Sequence, residues 1–215
     1  MLRREFLQLS AALTFPVFWK CDRGNPGRHS SPPNIVLILA DDMGFSDPGC
    51  FGGEIATPHL DQLAKNGLLF TQFYNTARCS PSRASLLTGL YPHQTGVGHL
   101  ATSQFEPDAY QGYLNNHCVT IAEMLQEAGY ATYMTGKWHI GTQRQAWPTR
   151  RGFDRFYGEH SYVDSYFYPT NQLYLDEEPV EAEGDNWYST DAYTDYAIRF
   201  INNAQGRKPY FLYLA

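Results

Sequence analysis

The stretch Asn34–Ala40 reads Asn-Ile-Val-Leu-Ile-Leu-Ala, five large apolar side chains in a row with no polar residue alternating among them. A strand with one wet face alternates, so a continuous run of this kind predicts a strand covered on both faces, as in a parallel sheet. It ends abruptly in Asp41-Asp42. That puts paired charge at the carboxyl end of the strand, the edge where open α/β sheets receive ligands. The rest of the chain has the means to cover such a strand. It has 215 residues, 43% hydrophobic and 15% aromatic, too apolar for a disordered chain and long enough for a core without disulfide or metal staples.

The punctuation that follows alternates helix and strand. Thr57-Pro58 sets a cap and a first-turn proline for a helix whose apolar stripe is Leu60, Leu63 and Ala64, stopping at Gly67. Gly67–Tyr74 predicts a strand. Ser80-Pro81 repeats the cap-plus-proline start, opening a helix that runs through Leu86 and Leu87 to Gly89. Thr120 and Glu123 form a capping box before Met124, Leu125 and Ala128, with Gly129 as the stop. Tyr130–Thr135 predicts a strand, Thr190–Ala204 a helix and Pro209–Leu214 a last apolar strand. This order predicts an α/β fold, a mostly parallel, mixed sheet with helices on both faces. A buried strand at the very end, closing at Ala215, predicts a sequence that stops inside its domain.

Charge divides the chain. The formal net charge is −6, but residues 1–33 carry Arg3, Arg4, Lys20, Arg23 and Arg28 against Glu5 and Asp22, leaving the remainder at −9. The acidic balance excludes nucleic acid as a main partner, since phosphate neutralisation needs a basic face. A basic start, the apolar stretch Leu7–Phe18 and a Gly/Pro/Ser-rich tract predict an export signal and linker over 1–33, with 34–215 as the folded part. Arg3-Arg4-Glu5-Phe6-Leu7-Gln8 resembles the twin-arginine export motif, which implies an exported, periplasmic or secreted protein and an encounter with export machinery. The competing reading is an amphipathic first helix, which would have to tolerate Pro16. Cys21 follows Phe18-Trp19-Lys20, a poor lipoprotein context, so a membrane anchor at this end stays open.

Two local patterns carry chemistry. Adjacent carboxylates repel unless a cation lies between them, so Asp41 and Asp42 point to a divalent metal; an exposed acidic turn leading to Gly44 is the plain alternative. Cys79 precedes Ser80-Pro81-Ser82-Arg83 at a predicted helix N-terminus, where unpaired N–H groups favour thiolates and oxyanions. Arg83, one turn in, can hold an anion or orient the group at 79. A buried structural cysteine would leave Arg83 without a purpose.

Cys79-Ser80-Pro81-Ser82-Arg83-Ala84-Ser85-Leu86-Leu87-Thr88-Gly89 resembles the signature of the formylglycine-dependent sulfatases, Cys-x-Pro-x-Arg followed by Leu-Thr-Gly. The segment Pro33–Asp42 resembles that family's first strand and metal-binding acids, and Gly136-Lys137-Trp138-His139-Ile140-Gly141 its Gly-Lys-Trp-His-Leu-Gly motif. Pro209–Ala215 is a weaker match to the strand before the family's Pro-His segment. The resemblance implies the alkaline phosphatase superfamily fold, in its N-terminal portion, and hydrolysis of carbohydrate or aryl sulfates. It implies that a maturation enzyme oxidises Cys79 to formylglycine, whose hydrate attacks sulfur. Asp41, Asp42 and the modified Cys79 would be ligands of Ca²⁺, with Arg83 holding the hydrate, Lys137 contacting a sulfate oxygen and His139 serving as base. The family's later Asp-Asn or Asp-His pair, second histidine and second lysine have no counterpart up to Ala215, which implies that the 215-residue segment alone is inactive. Phosphonate or phosphate monoester hydrolysis on the same fold, and a non-catalytic exported binding protein, are the alternatives.

Cys50 and Cys118 are either a bridge or two buried thiols. His93 and His99, in a Gly-rich loop after the signature, are candidates for substrate contact, and His59 reads as surface. Residues 153–215 hold 16 of the 33 aromatic residues, among them Tyr157, Tyr162, Tyr166, Tyr168, Trp187 and Tyr188; these are rings for stacking on sugars or for packing.

Overall fold

A computed structural model describes residues 31–103, 107–163, 165–169, 171–204, 206 and 208–215. The expected export signal therefore lies outside the described residues as far as position 30. Six strands make one sheet: β1 (Ile35–Ile38), β2 (Ala131–Lys137), β3 (Arg155–Glu159), β4 (Leu173–Leu175), β5 (Glu178–Val180) and β6 (Tyr210–Leu214). Their spatial order is β1-β6-β2-β3-β4-β5. β1, β6, β2 and β3 run parallel, with Ile35 opposite Phe211 and Tyr133 opposite both Leu212 and Arg155, while β4 and β5 add an antiparallel edge. The sheet is mixed and mostly parallel, as the alternation predicts.

The helices are α1 (Pro58–Asn66), α2 (Cys79–Thr88), α3 (Pro92–Thr95), α4 (Ile121–Glu127) and α5 (Ser189–Ala204). Alternate side chains along each strand face opposite layers. Met134, Phe156, Phe211 and Tyr213 pack with Ala84 and Leu87 of α2 and Ala122 of α4. Tyr133, Tyr157 and Leu212 face the other way, onto Tyr193, Ala197 and Phe200 of α5. The capping box of α4 forms as read: Glu123 N donates to Thr120 Oγ1 at 3.0 Å and Thr120 N to Glu123 Oε2 at 2.7 Å. Arg151 reinforces it from outside the helix, its Nε 2.8 Å from Glu123 Oε1.

Two expectations fail. Gly67–Tyr74 forms no strand, and Leu68 and Phe73 are 87% and 75% exposed. β1 is covered on one face only: Ile35 and Leu37 pack against the core while Val36 and Ile38 are 48% and 59% exposed. Among the described residues β1 pairs with β6 alone, and residues 67–74 join no strand. α1 forms where predicted yet carries no buried residue, its Leu63 being exposed. An apolar run supplies propensity; pairing needs a partner strand.

Candidate active site

The carboxyl ends of β1, β2 and β3 open on one edge of the sheet. Beyond β1 the chain turns out through Asp41 and Asp42, the latter at φ 56°, a left-handed conformation that Asp tolerates. Asp41 Oδ2 accepts from Lys137 Nζ at 2.6 Å, and Oδ1 lies 3.5 Å from Arg83 Nη2. Partial burial pushes the Asp41 carboxyl up, but the Lys137 hydrogen bond and the charges of Arg83 and Lys137 outweigh it and leave its pKa below the usual value.

α2 starts at Cys79, not after Ser80. The residue before the helix, Arg78, is extended and gives no side-chain cap. Ser80 lies inside the first turn, where its buried hydroxyl accepts from Ala101 N at 3.1 Å instead of capping. Pro81 is tolerated there because first-turn N–H groups have no intrahelical partner. The approach to Cys79 is held locally: Ala77 N donates to Asn75 Oδ1 at 2.7 Å, and the Thr76 and Ser82 hydroxyls share a hydrogen bond of 2.9 Å. A cavity of about 210 Å³ has Asp41, Asp42, Asn75, Cys79, Ser82 and Arg83 in its wall. Two separate sequence patterns, Asp41-Asp42 and Cys79–Arg83, thus share one space.

Arg83 is wholly buried, and its Nη1 donates to the Lys137 carbonyl. This bond ties α2 to the end of β2. Tyr213 of β6 is also fully buried; burial pushes its hydroxyl pKa up, and the nearby Arg83 charge pulls it back. That neighbour was invisible in sequence, because Tyr213 sits in an apolar strand with no motif around it. Lys137 is the last residue of β2, and its own N–H donates to Ala215 O at 2.9 Å. Trp138 points into the core, fully buried, with Nε1 donating to Ala146 O at 2.8 Å and its ring against Phe153 at 6.1 Å.

His139 does not continue the extended backbone of β2 beyond Lys137 but turns left-handed at φ 55°. Its N–H donates to His160 O at 3.1 Å, and both ring nitrogens are buried without a hydrogen-bond partner. Burial first, then the Lys137 and Arg83 charges, lower its pKa to about 4, with Asp41 opposing. It shares the charge field of the site without lining the 210 Å³ cavity.

The expected trio Asp41, Asp42 and Cys79 shares that cavity but forms no metal cluster. Among the described residues no group of three or more His, Cys, Asp or Glu side chains could hold a metal ion. Ca²⁺ takes six to eight oxygens, and one of the two carboxylates here is already engaged by Lys137 and Arg83. The described residues alone do not make a calcium site. Cys50 and Cys118 are both free, the Cys118 thiol donating to Asn115 O at 3.3 Å. His59 is exposed, as read; His93 is exposed too and packs edge-on against Tyr110 at 5.4 Å.

A mixed α/β sheet here brings to one edge a cysteine opening an uncapped helix, a buried arginine one turn on, and a lysine and histidine at the end of β2, a set of groups suited to holding an anion. The family model described as Sulfatase matches residues 33–215, and the chain belongs to the sulfatase family. It is 37% identical to mouse arylsulfatase J, across 86% of this chain and 32% of that protein. It is 36% identical to dog N-acetylgalactosamine-6-sulfatase, across 86% of this chain and 39% of that protein. The solved structure of Ps i-CgsB in complex with k-i-k-neocarrahexaose superposes with a TM-score of 0.76 at 34% identity, covering 85% of this chain and 44% of that one. An alkaline phosphatase superfamily protein from Vibrio parahaemolyticus, at 24% identity and a TM-score of 0.52, shares the fold. The chain spans well under half the length of each of these proteins.

Proposed function

We propose that the protein hydrolyses sulfate esters, on carbohydrates or aryl alcohols, with residue 79 as nucleophile after conversion to formylglycine. The observation that carries this reading is the single cavity shared by Cys79, Arg83, Asp41 and Asp42. Names of relatives lean the same way, through an N-acetylgalactosamine-6-sulfatase and an oligosaccharide complex. Once formed by a separate maturation enzyme, the formylglycine hydrate supplies an oxygen nucleophile toward sulfur. Arg83, fixed by Asp41 and the Lys137 carbonyl, orients the group at 79 and offsets sulfate charge where water is scarce. Lys137 donates to a sulfate oxygen in exchange for Asp41. His139 is neutral above about pH 4, so at neutral pH it accepts a proton and does not supply one.

Residues 34–215 are, in this reading, the N-terminal part of the catalytic domain. The short share of each relative's length and the open apolar face along β1, α1 and residues 68–74 support this. Asp41 and Asp42 would be part of a Ca²⁺ site whose other ligands come from elsewhere in the full protein, and residues 1–33 would direct export. The test is peptide mass spectrometry over residues 78–83 of protein from its native host, with turnover of N-acetylgalactosamine 6-sulfate, 4-nitrophenyl sulfate and an aryl phosphonate by the full-length enzyme. Formylglycine at 79 and preference for sulfate are expected; an unmodified thiol, or faster phosphonate turnover, refutes the reading.

A further inference from the structure

We propose that Tyr162 is the stacking platform for the sugar ring bearing the sulfate, so that the loop between β3 and β4 selects carbohydrate sulfates. The proposal rests on the hydrolytic reading above for the nature of the neighbouring centre. The Tyr162 ring lies 6.1 Å from the His139 imidazole, inclined at 51°. Tyr162 is 40% exposed while His139 is 4% exposed. The ring therefore stands between the buried His139 and solvent, at the sheet edge that receives ligands.

Its backbone is tied down. Asn171 Nδ2 donates to the Tyr162 carbonyl at 2.6 Å, and Ser189 N, at the start of α5, donates to the Tyr166 carbonyl at 2.8 Å. A platform held this way need not be ordered when a ligand arrives, which removes one cost of binding. The same loop leaves Tyr166, Phe167 and Tyr168 exposed, with Phe167 stacked on Tyr188 at 5.5 Å. Clustered exposed rings with a polar rim mark a binding surface. A pyranose offers a face of C–H groups to a ring and an edge of hydroxyls that need acceptors and donors. Polar groups accompany the neighbouring rings: Tyr188 is in the wall of a separate cavity of about 150 Å³ with Glu183, Asn186 and Asp191, which Tyr162 does not line.

The test uses full-length protein carrying Cys79→Ser, titrated calorimetrically with N-acetylgalactosamine 6-sulfate, 4-nitrophenyl sulfate and inorganic sulfate. Tyr162→Ala should weaken the sugar sulfate about ten-fold and leave inorganic sulfate unchanged, with Tyr162→Phe rescuing the loss. Tyr162→Leu, which keeps bulk without a ring, should repeat the loss if the alanine variant fails to fold. Equal weakening of sugar sulfate and inorganic sulfate would make Tyr162 a support for His139 and overturn the proposal. So would no weakening, no binding of the sugar sulfate at all, or a loss confined to the aryl sulfate. Ring-dependent sugar binding without turnover of any sulfate by the unsubstituted enzyme refutes the hydrolytic reading alone; turnover with ring-independent binding refutes the platform alone.

Discussion

Acidification should weaken this fold through buried histidines, and His160 isolates the effect. Its ring is stacked on Trp147 at 4.1 Å and 20° and on Phe156 at 5.1 Å and 17°, with Tyr174 at 4.3 Å. Burial drives its pKa down to about 3, and Glu177 pulls only weakly the other way. In the unfolded chain the same imidazole titrates near pH 6.5. Between those values the unfolded chain holds a proton that the native state refuses. The stability due to the neutral ring is therefore complete above about pH 6.5 and is lost as pH falls toward 3, at roughly 1.4 kcal/mol per unit. From about pH 6.5 to 4.5 the loss from His160 is about 3 kcal/mol, a large part of a typical domain's 5–15. His139 adds a similar slope as far as its own pKa of about 4. His160→Phe keeps a flat ring in the stack and cannot take a proton. Urea unfolding of both proteins across this interval should show the variant losing about 3 kcal/mol less. Parallel losses, or an NMR titration of His160 near pH 6.5, would refute the reasoning.

Trp138→Ala should cost about 3–5 kcal/mol, since it empties a fully buried site and leaves the Ala146 carbonyl without its donor. Denaturant midpoints measure it, and a cost under about 1 kcal/mol contradicts the packing described. Gly136→Ala should be much worse than Gly129→Ala. Both glycines have positive φ, 106° and 89°, but a Cβ at 136 would overlap the Ala215 carbonyl, whereas at 129 it meets nothing within 4 Å. A thermal-melt comparison should place Gly129→Ala near the ordinary backbone penalty of about 1 kcal/mol and Gly136→Ala well beyond it.

What could be read from sequence was what short-range chemistry determines. The capping box at Thr120 and Glu123 is a reciprocal bond within one turn, and it formed as read. β2 and β6 are β-rich runs that do find neighbours. β3 escaped notice because only Phe156 and Tyr157 are large and apolar in Arg155–Glu159, with Gly158 between them and the end. Its strand status comes from pairing with β2, which no local pattern announces. The same dependence on partners made residues 67–74 look like a strand. In the site, residue types were legible at Asp41, Cys79, Arg83 and Lys137. Their mutual arrangement was not, since the bonds joining them span 54 and 96 residues of chain. The left-handed turn at His139 follows from its N–H reaching His160 O, again a tertiary fact.

Net charge proves a poor guide to what such a site receives. Much of the acidity is cancelled where it stands: Glu123 by Arg151, Asp176 by Arg155, Glu177 by Arg144 and Arg150, and Glu183 by Arg199. Most of these pairs lie near the surface, where water and salt screen what field remains. Arg83 and Lys137 differ because both are buried, and a charge acts more strongly where water is excluded. One carboxylate, Asp41, serves both, 2.6 Å from Lys137 and 3.5 Å from Arg83. Two buried cations thus share one carboxylate partner beside the cavity that Cys79 and Asp42 line. Arg83 reaches Asp41 only through the longer contact from Nη2, and its Nη1 donates to the Lys137 carbonyl. If the proposed hydrolysis holds, an acidic chain meets its anionic substrate beside these two buried cations, and Asp41 is the group whose hold on Lys137 that anion would loosen.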